Sequence, residues 1–92
     1  MVIAFDVDGT LIDKNDRPRE EVISLLMALA RAEENIVVVW SGGGEDYARM
    51  WVERLMIGSF VSMTTVKTNP HLQVDLAIDD MEVKLGKFNL KV

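Results

Sequence analysis

The chain has 92 residues, enough for one small domain and too few for two independent cores, since a chain of this size buries only roughly 60–65 % of the surface it exposes when unfolded. Hydrophobic residues make up 49 % and charged residues 27 %, a balance that excludes a disordered or low-complexity chain. Ten basic residues against 15 acidic ones give a net charge of −5, which argues against nucleic acid and anionic membranes as partners; with no cysteine, disulfides and thiolate metal sites are excluded too.

The apolar run at the N-terminus, Val2 to Phe5, stops at Asp6. It is too short for a signal h-region or a membrane span, and no other stretch approaches the 18 apolar residues a span needs. A cytoplasmic protein is expected. The same run, resumed by Val7, reads as a buried strand that enters a loop over Asp6 to Thr10. Residues 13–19 are polar, and Pro18 suits the first turn of a helix. Val22, Leu25, Leu26 and Leu29 then fall on one helical face, with Glu20 and Glu21 favoured in the first turn by the helix dipole. This helix is expected to run about four turns, to near Glu34-Asn35.

Ile36 to Trp40 is a β-branched run and a second buried strand, broken off by Ser41-Gly42-Gly43-Gly44. A second helix is expected from Glu45 to Ile57, with Gly58 as its stop. Residues 59–66 read as a third strand, 74–79 as a fourth and 88–92 as a short fifth. Alternating strands and helices imply a small three-layer, Rossmann-like α/β fold with a mainly parallel sheet of four to five strands and right-handed crossovers, formed by residues 1–92 as one domain. The exception is the connection between the third and fourth strands. It holds about ten residues with Pro70 inside, so a loop or a single helical turn is expected there.

Ligands bind parallel α/β sheets outside the carboxyl ends of the strands. Asp6 and Asp8 follow the first strand, Ser41 and its glycines the second, and Asp79-Asp80 the fourth. Four acids on one rim repel unless a cation sits among them, and hard oxygen donors without His or Cys point to Mg²⁺. The Ser41–Gly44 turn has the opposite character: backbone N–H groups opening a helix, with a hydroxyl beside them, suit a phosphate. A carboxylate-held cation beside an anion site is the outline of a phosphoryl-transfer centre.

Phe5-Asp6-Val7-Asp8-Gly9-Thr10, Val37-Val38-Val39-Trp40-Ser41-Gly42 and Leu76-Ala77-Ile78-Asp79-Asp80 resemble, in order, the first, second and fourth motifs of the haloacid dehalogenase-like superfamily of phosphohydrolases. The resemblance implies that Asp6 is a nucleophile forming an aspartyl-phosphate, and that Asp8 protonates the leaving oxygen and then activates water. It implies that Asp6, the Asp8 carbonyl and Asp79 or Asp80 hold Mg²⁺. It also implies that Thr10 orients the catalytic acid while Ser41, with Gly42 and Gly43, receives the phosphate. Asp8 marks the phosphatase form, because dehalogenases lack the second acid. The third motif, usually a lysine, has Lys67 as its natural candidate. Neither place where the family inserts a cap has room for one. A capless site takes a phosphorylated substrate bulky enough to exclude water, or is covered by a second subunit of a homo-oligomer. A different class remains open beside this reading: a catalytically weak domain serving as a binding or regulatory module. The lone histidine, His71, reads as a loop residue, and Trp40 as a residue lining the site or packing beneath it.

Overall fold

A computed structural model describes all 92 residues. Five strands, β1 (Val2–Asp6), β2 (Ile36–Ser41), β3 (Met63–Val66), β4 (Leu76–Asp79) and β5 (Phe88–Lys91), form one sheet in the order β3-β2-β1-β4-β5. Every pairing is parallel. Two helices, α1 (Glu20–Ala30) and α2 (Glu45–Arg54), make the crossovers on the β2–β3 side. The fold is therefore α/β with an all-parallel sheet.

Side chains alternate across each strand and sort the interior into two clusters. Ile3, Phe5, Val37, Val39 and Ile78 face the helices, where Val22, Ile23 and Leu26 of α1, Ala48, Trp51 and Val52 of α2, and the loop residues Val7, Leu11, Ile12 and Ile57 complete a 15-residue buried cluster. Ala4, Val38, Trp40, Val74 and Ala77 form a smaller cluster on the opposite face, joined by half-buried Leu72, Val83 and Leu85. Trp40 thus packs inside the sheet's second face. Both helices lie on one side because β1→β2→β3 progresses in one direction and right-handed crossovers then share a face. The return from β3 to β4 must cross the other face, and it does so as residues 67–75 without a helix. Three strand spacings and the length of one short strand put the two ends roughly 20 Å apart, and nine extended residues reach about 30 Å. A loop suffices, and the layer opposite the helices is irregular chain from 67–75 and 80–87.

Helix ends differ from the sequence-based expectation. α1 stops at Ala30 rather than near Asn35, because the next residues turn back: Arg31 N–H donates to Ala28, Ala32 N–H to Leu29, and the Asn35 side chain donates to the Leu29 carbonyl at 2.9 Å. α2 stops at Arg54, three residues before Ile57. Its end is a Schellman motif with Met56 in the left-handed position at φ 58°, Met56 N–H bonded to Glu53 and Ile57 N–H to Val52. Ile57 is buried and completes the motif's apolar contact. Residues Gly58–Phe60 then form a 3-10 turn where the third strand was expected to begin, and pairing with β2 starts with Ser62 N–H on Val37 O.

A left-handed conformation costs an L-residue about 1 kcal/mol that glycine does not incur. Met56 is 86 % exposed, so its side chain offers little in return. Met56→Gly is expected to raise the melting temperature by about 4–8 °C in a circular-dichroism melt; no change or a fall would show that the strain at this position is absent.

Candidate functional site

The site lies at the carboxyl ends of β1 and β4, where the strand order reverses direction around β1. Asp6 closes β1 and Asp79 closes β4, both buried; Asp80 follows, half-buried. One carboxylate oxygen from each lies within 4.8 Å of the others, a spacing that a metal ion could bridge. The donors are all hard oxygens, the set that suits a hard divalent cation.

Lys67, one residue beyond β3, reaches into this group. Its Nζ lies 2.6 Å from Asp79 Oδ2 and 3.3 Å from Asp6 Oδ1. The backbone delivers it there: Lys67 N–H donates to the Ser41 carbonyl at 2.8 Å, extending the β2–β3 ladder by one bond. Thr68 then turns the chain away with φ 63°, an uncommon conformation for a β-branched residue. Burial works against the Lys67 ammonium, but the hydrogen bond to Asp79 and the charge of Asp6 outweigh it, and its pKa is raised. Asp6 is pushed up to about 6, first by burial and then by the charge of Asp79, with Lys67 offsetting part of the rise.

Gly9 makes the cluster sterically feasible. It sits at φ 81°, and a Cβ there would overlap the Asp80 carboxylate. Its carbonyl accepts from Arg19 Nη1 at 2.7 Å, which fixes the loop between β1 and α1 to the start of the helix. Thr10 is fully buried beneath the rim. Its hydroxyl faces Asp80 Oδ1 at 3.2 Å and Asp6 Oδ2 at 3.4 Å, and accepts the Asp80 N–H at 3.0 Å. The expected contact from Thr10 to Asp8 is therefore replaced by contacts to Asp6 and Asp80, because the Thr10 side chain points under the sheet's end and Asp8 points out. Asp79 keeps its second oxygen on the Met81 N–H at 3.0 Å.

Asp8 is exposed and its carboxylate lies outside the three-acid group. It accepts a 2.7 Å hydrogen bond from the Tyr47 hydroxyl, and this bond raises the tyrosine pKa. Tyr47 lies in the first turn of α2, and the sequence alone does not single it out as a site residue. Nothing in its spacing marks it; the one general hint is that a half-buried tyrosine usually finds a partner for its hydroxyl. Ser41 is buried at the end of β2, and its Oγ accepts the Gly43 N–H at 3.0 Å, so its own proton is free to donate. Gly42 and Gly43 are exposed beside it, and Gly44, at φ 103°, starts α2. His71 lies in an exposed turn away from the acids.

The fold and site together describe an α/β protein with a buried carboxylate cluster, one lysine within it, and a glycine turn at the same sheet edge. No family model matches the chain, and no solved structure matches it. Among curated proteins it is similar to the Arabidopsis thaliana protein named probable alpha,alpha-trehalose-phosphate synthase (UDP-forming) 11, at 36 % identity over 55 residues. That stretch is 56 % of this chain and 6 % of the plant protein, so the chain spans a small fraction of its relative's length. The likeness is compatible with an enzyme. No helix is long and apolar enough to cross a membrane.

The raised Asp6 pKa has a consequence for stability. The folded protein keeps this proton up to about pH 6, whereas an ordinary aspartate releases it near 3.8. Between those values the folded state binds more protons than the unfolded chain, so its stability falls as pH rises. With divalent ions chelated, denaturant titrations are expected to lose on the order of 2–3 kcal/mol between pH 4 and pH 7 from this residue. Asp6→Asn should flatten that part of the profile and raise the pH 7 midpoint; an unchanged slope would show that Asp6 is not held protonated. Gly9→Ala should lower stability in the same titrations by about 1–3 kcal/mol, through positive φ and the displaced Asp80.

Proposed function

We propose that the chain is a magnesium-dependent phosphomonoester hydrolase of the haloacid dehalogenase-like type, working through Asp6. The observation that carries this reading is the convergence of Asp6, Asp79 and Asp80, two of them paired with the Lys67 ammonium, at the sheet end where the Ser41–Gly44 turn precedes α2. A protein has little use for three adjacent carboxylates at a buried edge unless they bind a cation. The partial likeness to a protein named for a sugar phosphate adds weight to a phosphate-ester substrate.

Asp6, Asp79 and Asp80, with the Asp8 carbonyl, are the residues that would hold the ion. A bound magnesium ion would supply positive charge between the nucleophile and the phosphoryl oxygens. A carboxylate oxygen of Asp6 attacks phosphorus, the bond to the leaving alkoxide breaks, and Asp8 gives that oxygen its proton. Asp8, now ionised, removes a proton from water as the water displaces Asp6 from phosphorus, which releases phosphate and restores both carboxyl groups. Tyr47 holds one oxygen of Asp8 and leaves the other to carry the proton. Lys67 stabilises the ionised nucleophile and the charge that develops on the phosphoryl group. The Ser41 hydroxyl and the Gly42–Gly43 backbone orient the phosphate. Residues 7–19 and 67–75 leave no inserted cap over the rim, so a bulky substrate, or a second copy of the chain, excludes water from it.

An aryl phosphate should be hydrolysed with Mg²⁺ and not with a chelator. Asp6→Asn should reduce turnover to background, and Asp8→Asn should lower it about 100- to 10,000-fold. Activity that persists in Asp6→Asn, or none in the wild type with any divalent ion, would sink this reading and leave the acidic cluster as a binding site only.

A further inference from the structure

Beside the acidic rim, β5 is a free sheet edge. It pairs only with β4, and all four of its residues are exposed. Phe88 and Val92 direct their N–H groups to the carbonyls of Asp75, just before β4, and Asp79, so the alternate residues Asn89 and Lys91 turn their backbone N–H and C=O outward. Natural edges are covered, bulged, interrupted by proline, kept short or charged with lysine; this one is short and carries Lys91, but it is exposed along its length and in unbroken register with β4. An open cavity of about 610 Å³ runs along it, lined in part by residues of the 81–84 segment.

The side chains around this edge have a consistent character. Met81, Phe88 and Leu90 are exposed at 65 %, 68 % and 44 %. Lys84, Lys87 and Lys91 are exposed and take part in no ion pair, unlike Lys67, whose ammonium is held by two acids. Residues 81–92 carry these three lysines against Glu82 alone, a local excess of two positive charges in a chain of −5. The two kinds of residue are also separated by the pleat. Phe88 and Leu90 share the helix side with Leu76 and Ile78, while Asn89 and Lys91 lie on the opposite side with Ala77 and Asp79.

We propose that the β5 edge is a docking site for an extended acidic polypeptide segment, which adds to the sheet as a sixth strand. The outward groups of Asn89 and Lys91 supply the main-chain hydrogen bonds. A segment that alternates apolar and acidic residues puts its apolar side chains on Phe88 and Leu90 and its carboxylates against the lysines. A nucleic acid fits less well: it offers no strand to pair, and its continuous phosphates would run past Asp79 and Asp80 at the end of β5. A second copy of β5 fits less well still, since it would bring like-charged lysines together. The proposal does not depend on phosphatase activity and is tested by binding alone.

The probe is a fluorescein-labelled peptide of alternating Glu and Val, titrated with the full chain by fluorescence anisotropy. A four-residue strand offers few hydrogen bonds, so a dissociation constant of roughly 10–100 µM is expected. The double variant Lys84→Glu/Lys87→Glu, which changes residues without partners, should weaken binding about tenfold. Lys91→Pro removes an outward N–H while leaving the β4 ladder intact, and should weaken it as well. The same loss is expected when the peptide backbone is N-methylated, a measurement that holds even if Lys91→Pro does not fold. A peptide of the same composition with Glu and Val in separate blocks should bind more weakly. Equal binding of the block peptide or of an oligothymidylate would reduce the site to an unspecific basic patch and overturn the proposal. No binding of the alternating peptide would overturn it too, as would a dimer by sedimentation that Lys91→Pro dissolves.

Discussion

Three carboxylates at the ends of two adjacent parallel strands repel one another, and the rest of the molecule is arranged so that they cannot move apart. Asp6 and Asp79 are strand residues, fixed by a ladder that also positions Phe5 against Ile78 in the core. Neither can swing away without breaking β1–β4 pairing at the centre of the sheet. Asp80 is held by Thr10, which is itself buried, and by the absence of a side chain on Gly9. The cost is visible in Asp6, which retains its proton well above the usual range even with Lys67 beside it. The crowding that favours a proton on Asp6 would equally favour a cation among the three carboxyl groups.

The sheet's two faces support this edge unequally. The helix face carries the 15-residue cluster and most of the cohesion. The opposite face is closed by five buried residues and two stretches of irregular chain, and it is this thinner side that supplies Lys67. With no crossover helix to aim the lysine, its placement rests on one extra rung of the β2–β3 ladder and on the left-handed turn at Thr68. Here a strained backbone position stands in for a missing secondary-structure element.

What the sequence made legible follows from where its signals are strongest. Apolar β-branched runs that end abruptly in Asp6, Ser41 or Asp79 locate both the strands and the rim, because the carboxyl ends of parallel strands open onto one side of the sheet. The short third crossover was also readable, since nine residues with Pro70 cannot hold a helix of useful length. Helix ends were less legible. Gly58 looked like the stop of α2, yet Met56 takes the left-handed position, because the apolar contact between Ile57 and Val52 fixes the motif two residues earlier. The partners of polar side chains were the least accessible: Tyr47 meets Asp8 across 39 residues of sequence, and Thr10 turns from Asp8 to Asp80 across 70. Those contacts depend on how the loops pack, which no local spacing encodes.

Net charge, which at the outset argued against anionic partners, also looks different once it is distributed over the fold. Asp6, Asp8, Asp79 and Asp80 account for four of the five excess negative charges and all lie on one rim. The segment that leaves this rim and returns as β5 is positive on balance. The two zones meet in register, with Asp79 opposite Lys91 across the β4–β5 pair. In a molecule about 30 Å long they lie within a few Debye lengths of each other, so an approaching ligand experiences a polarised surface rather than a uniformly acidic one. The sum alone therefore excludes less than it first implied, because the acids gather at one end of the sheet while the neighbouring edge is basic.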